Sequence, residues 1–276
     1  MMYKITCNLF NLHYTLNCGQ VFRWEYNSKN KSWTGIVGSE VINARQEENV
    51  VTIDSTLSRK VIENYFRLDD DLNKIYEQIN KDQYIDAAIN QYPGLRLIRQ
   101  DPYECLFSYI CATRANIPQI KKMVKNLSKT FGEKIKKDFH TFPTPKSLSE
   151  ADKMQLKACG VGFRAPYLVE TAKKIVNANY DLDSLKKLDY EKAKSELKNF
   201  KGVGEKVADC ALLFSLNKLE AFPTDVWIKR IMKNYYNIEK DVDIKKFALT
   251  HFGKYCGYAQ EYLYYYYRTM HRSVKN

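Results

Sequence analysis

Several features common in proteins of this size are missing from the chain. No apolar run approaches the ~20 residues that a membrane-spanning helix requires. The opening Met1-Met2-Tyr3-Lys4-Ile5-Thr6-Cys7-Asn8 lacks the apolar stretch of a secretory signal. A cytoplasmic protein is therefore expected, or a nuclear one if the source has a nucleus. Seven cysteines are scattered singly with no Cys-x-x-Cys pair, and only four histidines accompany them. That supply does not fit a structural zinc site, and reduced buried thiols are the simpler reading. No internal repeat is present, and no low-complexity tail.

What is present is an ordinary globular composition, 45% hydrophobic and 28% charged over 276 residues, enough for one or two domains. The formal charge of +12 favours a polyanionic partner. That signal is discounted in part, because lysine, asparagine, isoleucine and tyrosine are abundant together, as an AT-rich genome would make them. Extended segments are expected around Tyr3–Thr6, Gln20–Tyr26, Trp33–Val37, Glu40–Ala44 and Val50–Ile53, separated by turn formers. Helical periodicity follows over Thr56–Phe66 and Leu72–Ile89. Beyond Tyr92-Pro93-Gly94 strand signals largely vanish. Asp101-Pro102 opens an apolar, buried helix, Pro118 starts the next, and Ser149 is expected to cap a helix that stops at Gly160. Further helices fit Ala165–Asn177, Tyr190–Asn199, Glu205–Asn217, Val226–Tyr235 and Tyr258–Arg268. The fold class is α+β: an antiparallel-sheet domain over 1–92, then an all-α region over 93–276.

Two short motifs carry chemistry. In Phe200-Lys201-Gly202-Val203-Gly204-Glu205-Lys206, a Gly-x-Gly turn joins two helices as a helix-hairpin-helix. Gly202 and Gly204 permit positive φ and close backbone approach, and the free N–H groups of the second helix attract a phosphate without reading sequence. The bland reading is a simple turn. Lys206, in the first turn of that helix, is ordinarily a solvated charge or a phosphate contact. If the helix end and desolvation lower its pKa, the amine can form a Schiff base with a sugar carbon. Asp225, in Phe222-Pro223-Thr224-Asp225-Val226, is a helix N-cap. A carboxylate fixed by capping can also stabilise positive charge on a sugar ring as a glycosidic bond breaks.

Together these residues resemble the helix-hairpin-helix DNA glycosylases with a Gly/Pro-rich loop and catalytic aspartate, and within them the 8-oxoguanine DNA glycosylase/AP lyases. The likeness covers essentially the whole chain. It also draws on Cys18-Gly19-Gln20-Val21-Phe22-Arg23-Trp24, on Leu97–Ser108, on Cys159-Gly160-Val161-Gly162-Phe163-Arg164-Ala165 and on Gly257-Tyr258-Ala259-Gln260. The resemblance implies a TATA-binding-protein-like sheet domain and duplex DNA bent in a cleft, with the damaged nucleotide flipped out. It implies that Lys206 attacks C1′, that Asp225 stabilises the oxocarbenium-like transition state, and that β-elimination then nicks the strand. No cofactor is required. A monovalent cation on the carbonyls of Lys198, Phe200 and Val203 at the hairpin is a further implication. For the base pocket it points to the Gly19 carbonyl, to Gln260 on the Watson–Crick edge, and to Cys210 and Tyr264 on the two ring faces. For DNA it points to Asn116, Phe163, Arg164, Gly202, Val203, Gly204 and Trp227. A monomer acting on double-stranded DNA containing 8-oxoguanine is expected, with no membrane partner.

The chain departs from the pattern in Thr113-Arg114-Ala115-Asn116-Ile117-Pro118-Gln119. Arg114 replaces an asparagine, and Gln119 an arginine, that contact the orphaned cytosine in eukaryotic members. Phe163 stands where tyrosine is common. Two lost contacts, each worth about 1–3 kcal/mol of discrimination, predict weak dependence on the opposite base. Lys201 replaces a usual proline, and Trp227 a frequent histidine. An endonuclease-III-like reading lacks support, since after Cys210 only Cys256 remains for a four-cysteine cluster. Lys206 argues against an alkylbase glycosylase. A helix-hairpin-helix module that binds damaged DNA without cutting is the non-enzymatic alternative.

Overall fold

The computed structural model describes residues 1–273 of the chain. Five strands form one antiparallel sheet: β1 (Met2–Thr6), β2 (Trp24–Asn27), β3 (Ser32–Val37), β4 (Glu40–Glu47) and β5 (Val50–Asp54), in the spatial order β1-β5-β4-β3-β2. Tight turns at Asn27–Lys31 and Val37–Glu40 make the middle strands a meander, and β1 returns to pair with β5, placing Ile5 opposite Val51. Alternation sorts the faces. Trp33, Ile42, Ala44, Val51 and Ile53 are buried, while their neighbours along each strand are more exposed. Gly35 lies opposite Trp24, and a β-carbon there would come within 2.2 Å of the indole, so the ring is seated over a strand that has no side chain to refuse it. The expected strand at Gln20–Tyr26 begins only at Trp24. Gln20 instead works as a buried tie: its amide donates to the carbonyls of Thr15 (2.9 Å) and Arg96 (2.8 Å) and accepts from Ile98 N–H (2.8 Å).

Helix α1 (Leu12–Asn17), absent from the sequence reading, is capped by Asn11 and lies between β1 and β2; α2 (Arg59–Tyr65) follows the sheet. Leu72–Ile89, read as one helical stretch, is two: α3 (Leu72–Ile79) and α4 (Gln83–Gln91), broken where Asp82 caps the second with both Tyr84 and Ile85 N–H. Their apolar residues Ile75, Ile79, Ile85 and Ile89 pack into the core of the helical region and not into that of the sheet. Sequence position alone had placed them with the sheet. Periodicity reveals which face is apolar, not what covers it.

The helical region continues with α5 (Pro102–Cys111), α6 (Ile117–Phe131), α7 (Pro145–Ser149), α8 (Lys153–Ala158), α9 (Ala165–Asn177), α10 (Tyr190–Lys198), α11 (Glu205–Ser215), α12 (Val226–Tyr236), α13 (Asp241–Phe252) and α14 (Cys256–Ser273). Asp101 caps α5 with Pro102 at its first position, as its sequence predicts. The helix expected from Ser149 is corrected. Thr144 caps α7, which ends at Ser149, and Asp152 caps α8 through the N–H groups of Met154 and Gln155. A two-stranded ribbon, β6 (Lys134–Lys136) with β7 (Phe139–His140), and helix α13 were not anticipated. Helix α5 is the hub: eight of its ten residues are buried and it runs against α11. That packing brings the start of α11 to the mouth of a cleft.

Candidate active site

The hairpin turn is built by glycine where only glycine serves. Gly202 has φ +79, and a β-carbon there would sit 2.6 Å from the Tyr167 ring. Gly204 occupies the N-cap of α11 without a side-chain cap bond, so the first N–H groups of that helix are left for a ligand. The next residue, Glu205, is clamped by Lys194 (3.0 Å), Lys245 (2.5 Å) and Lys198, which hold its carboxyl far below the usual range. Behind it, Lys194 Nζ lies 2.7 Å from the buried Asp209 carboxylate, which also accepts from Tyr190 OH at 2.7 Å. Helix α10 is thereby tied to α11, and the half-buried Lys206 is carried on a rigid base.

Lys206 Nζ rests over the Tyr109 ring, 4.8 Å from its centroid. Tyr109 is in turn stacked on Phe214 and donates its hydroxyl to Gln20 O at 3.2 Å. One turn along α11, the Cys210 thiol lies within hydrogen-bonding reach of the same amine. Burial pushes that thiol up to about 12, partly offset by the lysine charge, so it remains a neutral SH at physiological pH. It offers no competing nucleophile. Asp225 stands at the start of α12, where Oδ1 accepts the N–H groups of Trp227 and Ile228, each at 2.9 Å. Two helix starts, from segments about twenty residues apart, thus deliver an amine and a carboxylate to one cavity of about 810 Å³.

Gly19, Cys210, Gln260 and Tyr264 line that same cavity, as do Asn116, Gly202, Gly204 and Trp227. Gly19 takes φ +110, which strains any side chain, and a β-carbon there would also have to displace Arg268 Nη1 at 2.6 Å and Ile117 Cδ1 at 2.7 Å. Gln260 is 4% exposed and its Oε1 has no partner among the described residues. Tyr264 is half-buried one helical turn later, with the Arg268 guanidinium 4.9 Å from its ring centroid. Val203 is buried and lines a neighbouring cleft of about 630 Å³. Lys198 and Phe200, expected to offer carbonyls to a cation, line that cleft too, but Phe200 O already accepts Val203 N–H at 3.2 Å. No cluster of three or more His, Cys, Asp or Glu suited to a metal occurs among the described residues.

The residues expected to read the orphaned base are differently employed. Asn116 caps α6 in a reciprocal box: its Oδ1 accepts Gln119 N–H and Gln119 Oε1 accepts Asn116 N–H, both at 3.0 Å. Arg164 is buried, donating to Thr113 O through Nε (3.0 Å) and Nη2 and to Val161 O through Nη1 (3.2 Å). Phe163 is half-exposed and carries the Arg164 guanidinium 4.4 Å from its ring centroid. Arg114 is exposed with φ +53. Three residues of the cleft escaped sequence reasoning: Tyr109, Glu261 and Arg268. The last two had a visible signal, the helix's one Glu and the first of its arginines, seven residues apart across a tyrosine-rich stretch.

Comparison with known proteins agrees with this geometry. Residues 2–106 match the family of the 8-oxoguanine DNA glycosylase N-terminal domain, and residues 107–253 match the HhH-GPD superfamily base excision DNA repair proteins. The N-glycosylase/DNA lyase of Saccharomyces cerevisiae is 33% identical over 253 residues, 81% of this chain and 67% of that protein. The N-glycosylase/DNA lyase OGG1 of Arabidopsis thaliana is 28% identical, over 95% of this chain and 78% of its own. The crystal structure of Clostridium acetobutylicum 8-oxoguanine glycosylase/lyase, in complex with double-stranded DNA containing cytosine opposite 8-oxoguanine, superposes with a TM-score of 0.90 at 33% identity, covering 98% of each chain.

Proposed function

The chain belongs to the HhH-GPD superfamily of base excision DNA repair proteins and carries the 8-oxoguanine DNA glycosylase N-terminal domain, and on that premise we propose how its own residues perform the reaction. It is a bifunctional 8-oxoguanine DNA glycosylase/AP lyase of base excision repair. The observation that carries the residue assignment is the convergence of Lys206 and Asp225, from two helix N-termini, on one cavity large enough for a nucleoside.

The N–H groups at the start of α11 hold a backbone phosphate and draw the strand to the hairpin. The flipped base enters between Cys210 and Tyr264. In its neutral form the Lys206 amine attacks C1′, and the C1′–N9 bond breaks as the base departs with the bonding electrons and gains a proton. Asp225 stabilises the positive charge that the sugar develops in that step. Ring opening leaves an iminium between Lys206 and C1′. Loss of a C2′ proton then expels the 3′ phosphate, and hydrolysis frees the lysine. No step requires a metal or an organic cofactor. A monovalent cation at the hairpin carbonyls would support phosphate binding only. The protein acts as a monomer on duplex DNA.

Opposite-base dependence is weak in this proposal. The Oδ1 of Asn116 and the Oε1 of Gln119 are taken up in the capping box and Arg164 donates to two carbonyls, so Asn116 and Gln119 offer only their amide N–H groups to the estranged base. The central test is covalent capture. Borohydride reduction during turnover on an 8-oxoguanine duplex links protein to DNA through Lys206, and Lys206→Gln abolishes the adduct. An adduct undiminished in that variant, or none with the wild-type protein, refutes the assignment; the second outcome favours a non-catalytic damage-binding role.

A further inference from the structure

Two adjacent residues of α14 each place a buried acceptor oxygen without a partner in the wall of the cleft. Gln260 Oε1 and Glu261 Oε1 are both shielded from water, their side chains 4% and 3% exposed, and neither finds a donor among the described residues. Both residues line the cavity that holds Lys206, Asp225, Gly19 and Tyr264. A buried acceptor left unmade is costly, more so when it belongs to a carboxylate, and the cost is removed when a donor arrives. An apolar packing residue at position 261 would avoid that cost altogether. Because both residues line one cavity, the orphan pair describes the complement of a ligand that carries two donors.

The surroundings of Glu261 let it act as an anion there. The Cys18 thiol lies against its carboxyl, and the charges of Arg268 and Lys206 favour ionisation, while burial and Asp225 oppose it. The balance brings the group up to about 7, within range of ionisation when a donor docks. Arg268 is itself braced, Nη2 to Asn17 O and Nη1 to Tyr264 OH, each at 3.2 Å, and its Nε is the third orphan in this corner. A counter-charge for Glu261 is thus built in next to the stacking ring of Tyr264.

We propose that Glu261 is a base-reading residue, its Oε1 accepting a 2-amino hydrogen of a flipped 2-amino-6-oxopurine while Gln260 Oε1 takes the neighbouring N1–H. Those two donors are neighbours on one edge of the guanine ring system. Adenine-type bases turn an acceptor at N1 toward the same place and have no 2-amino group, and hypoxanthine-type bases keep N1–H but lack the amine. The inference rests on the reading of the cleft as an 8-oxoguanine site. It adds a charged contact that selects the purine by its amine, independently of the oxidised ring edge.

The experiment compares single-turnover excision of 8-oxoguanine with that of 8-oxohypoxanthine, which differs only in lacking the 2-amino group, for wild type, Glu261→Gln and Glu261→Ala. Wild type is expected to favour 8-oxoguanine by about 10- to 100-fold, the range for one hydrogen bond to a charged acceptor. Glu261→Ala should slow 8-oxoguanine by a similar factor and change 8-oxohypoxanthine little, collapsing the ratio; Glu261→Gln, which keeps an acceptor, should fall between. If Glu261 only balances the charge of Arg268, both substrates slow together and the ratio stays at its wild-type value, which overturns the proposal. The wild-type substrate pair decides without any variant, since equal rates on both bases also overturn it. Failure of wild type to excise 8-oxoguanine at all would sink the reading of the cleft itself, and is distinguishable from either result.

Discussion

Replacing Asp225 with asparagine separates the helix cap that this side chain forms from the electrostatic role proposed for it. The cap rests on Oδ1, which accepts two N–H groups at 2.9 Å and leaves Oδ2 out of the cap. Asparagine keeps an oxygen in that place and ranks with aspartate as an N-cap. What it removes is a negative charge at a helix N-terminus, worth about 0.3–1 kcal/mol. At roughly 2–4 °C per kcal/mol for a chain of this size, Asp225→Asn should lower Tm by no more than about 4 °C. Asp225→Ala loses the cap as well, about 1 kcal/mol more, and should fall further. The chemical step is affected on another scale. An anion about 4 Å from a developing sugar cation, at an effective dielectric near 20, contributes about 4 kcal/mol, or roughly a thousand-fold in rate. Single-turnover excision of 8-oxoguanine by both variants should therefore drop by about 10²–10³-fold and to a similar extent, while their melting temperatures differ. Excision by Asp225→Asn within about five-fold of wild type would show the charge to be dispensable, contrary to the electrostatic argument. A Tm loss equal to that of Asp225→Ala would show that asparagine had not preserved the cap, and would remove the basis of the comparison.

Three further outcomes are expected. Excision from duplexes pairing 8-oxoguanine in turn with C, A, G and T should vary by less than about ten-fold, since two base-reading contacts of about 1–3 kcal/mol each are absent; a cytosine preference of tens-fold or more would refute this. Burial holds the Glu261 proton up to about 7, where the unfolded chain releases it near 4.5, so its contribution to stability is full below pH 4.5 and is lost as pH rises through 7. Urea unfolding should then find Glu261→Gln about equal to wild type near pH 4.5 and more stable at pH 8, by on the order of 2–3 kcal/mol; no change in the difference between those pH values would refute the shift. The charged groups acting on that carboxyl are Arg268 on its own helix, Lys206 and Asp225 at the starts of α11 and α12, with the Cys18 thiol beside α1. Lys194→Met leaves the buried Asp209 without its 2.7 Å partner and should cost about 3–5 kcal/mol in denaturant unfolding, whereas a loss under 1 kcal/mol would mean that Lys245 (3.7 Å) and Tyr190 suffice.

Sequence legibility followed the range of the interaction. Local rules located the sheet strands to within a few residues, the Asp101-Pro102 start of α5, α9 to the residue and the Gly-x-Gly turn, because cap chemistry, alternation and glycine conformation act over four or five positions. They erred where two local signals competed. Ser149 looked like a cap, but Thr144 and Asp152 made better ones, and a helix read as continuous over Leu72–Ile89 was cut by Asp82. The β6–β7 ribbon is too short to have a period.

By itself the chain determined its family and singled out Lys206 and Asp225 as the pair proposed to be catalytic, since both sit in contiguous motifs that are legible before anything packs above them. Only the tertiary structure decided what surrounds that pair. It laid the Tyr109 ring under the amine, spent Asn116 and Arg164 on backbone partners, and brought Glu261 and Arg268 of the last helix behind the Gly19 loop some 240 residues away. Those are contacts between distant segments, and burial, orphaned acceptors and shifted carboxyls exist only once such segments have closed on one another.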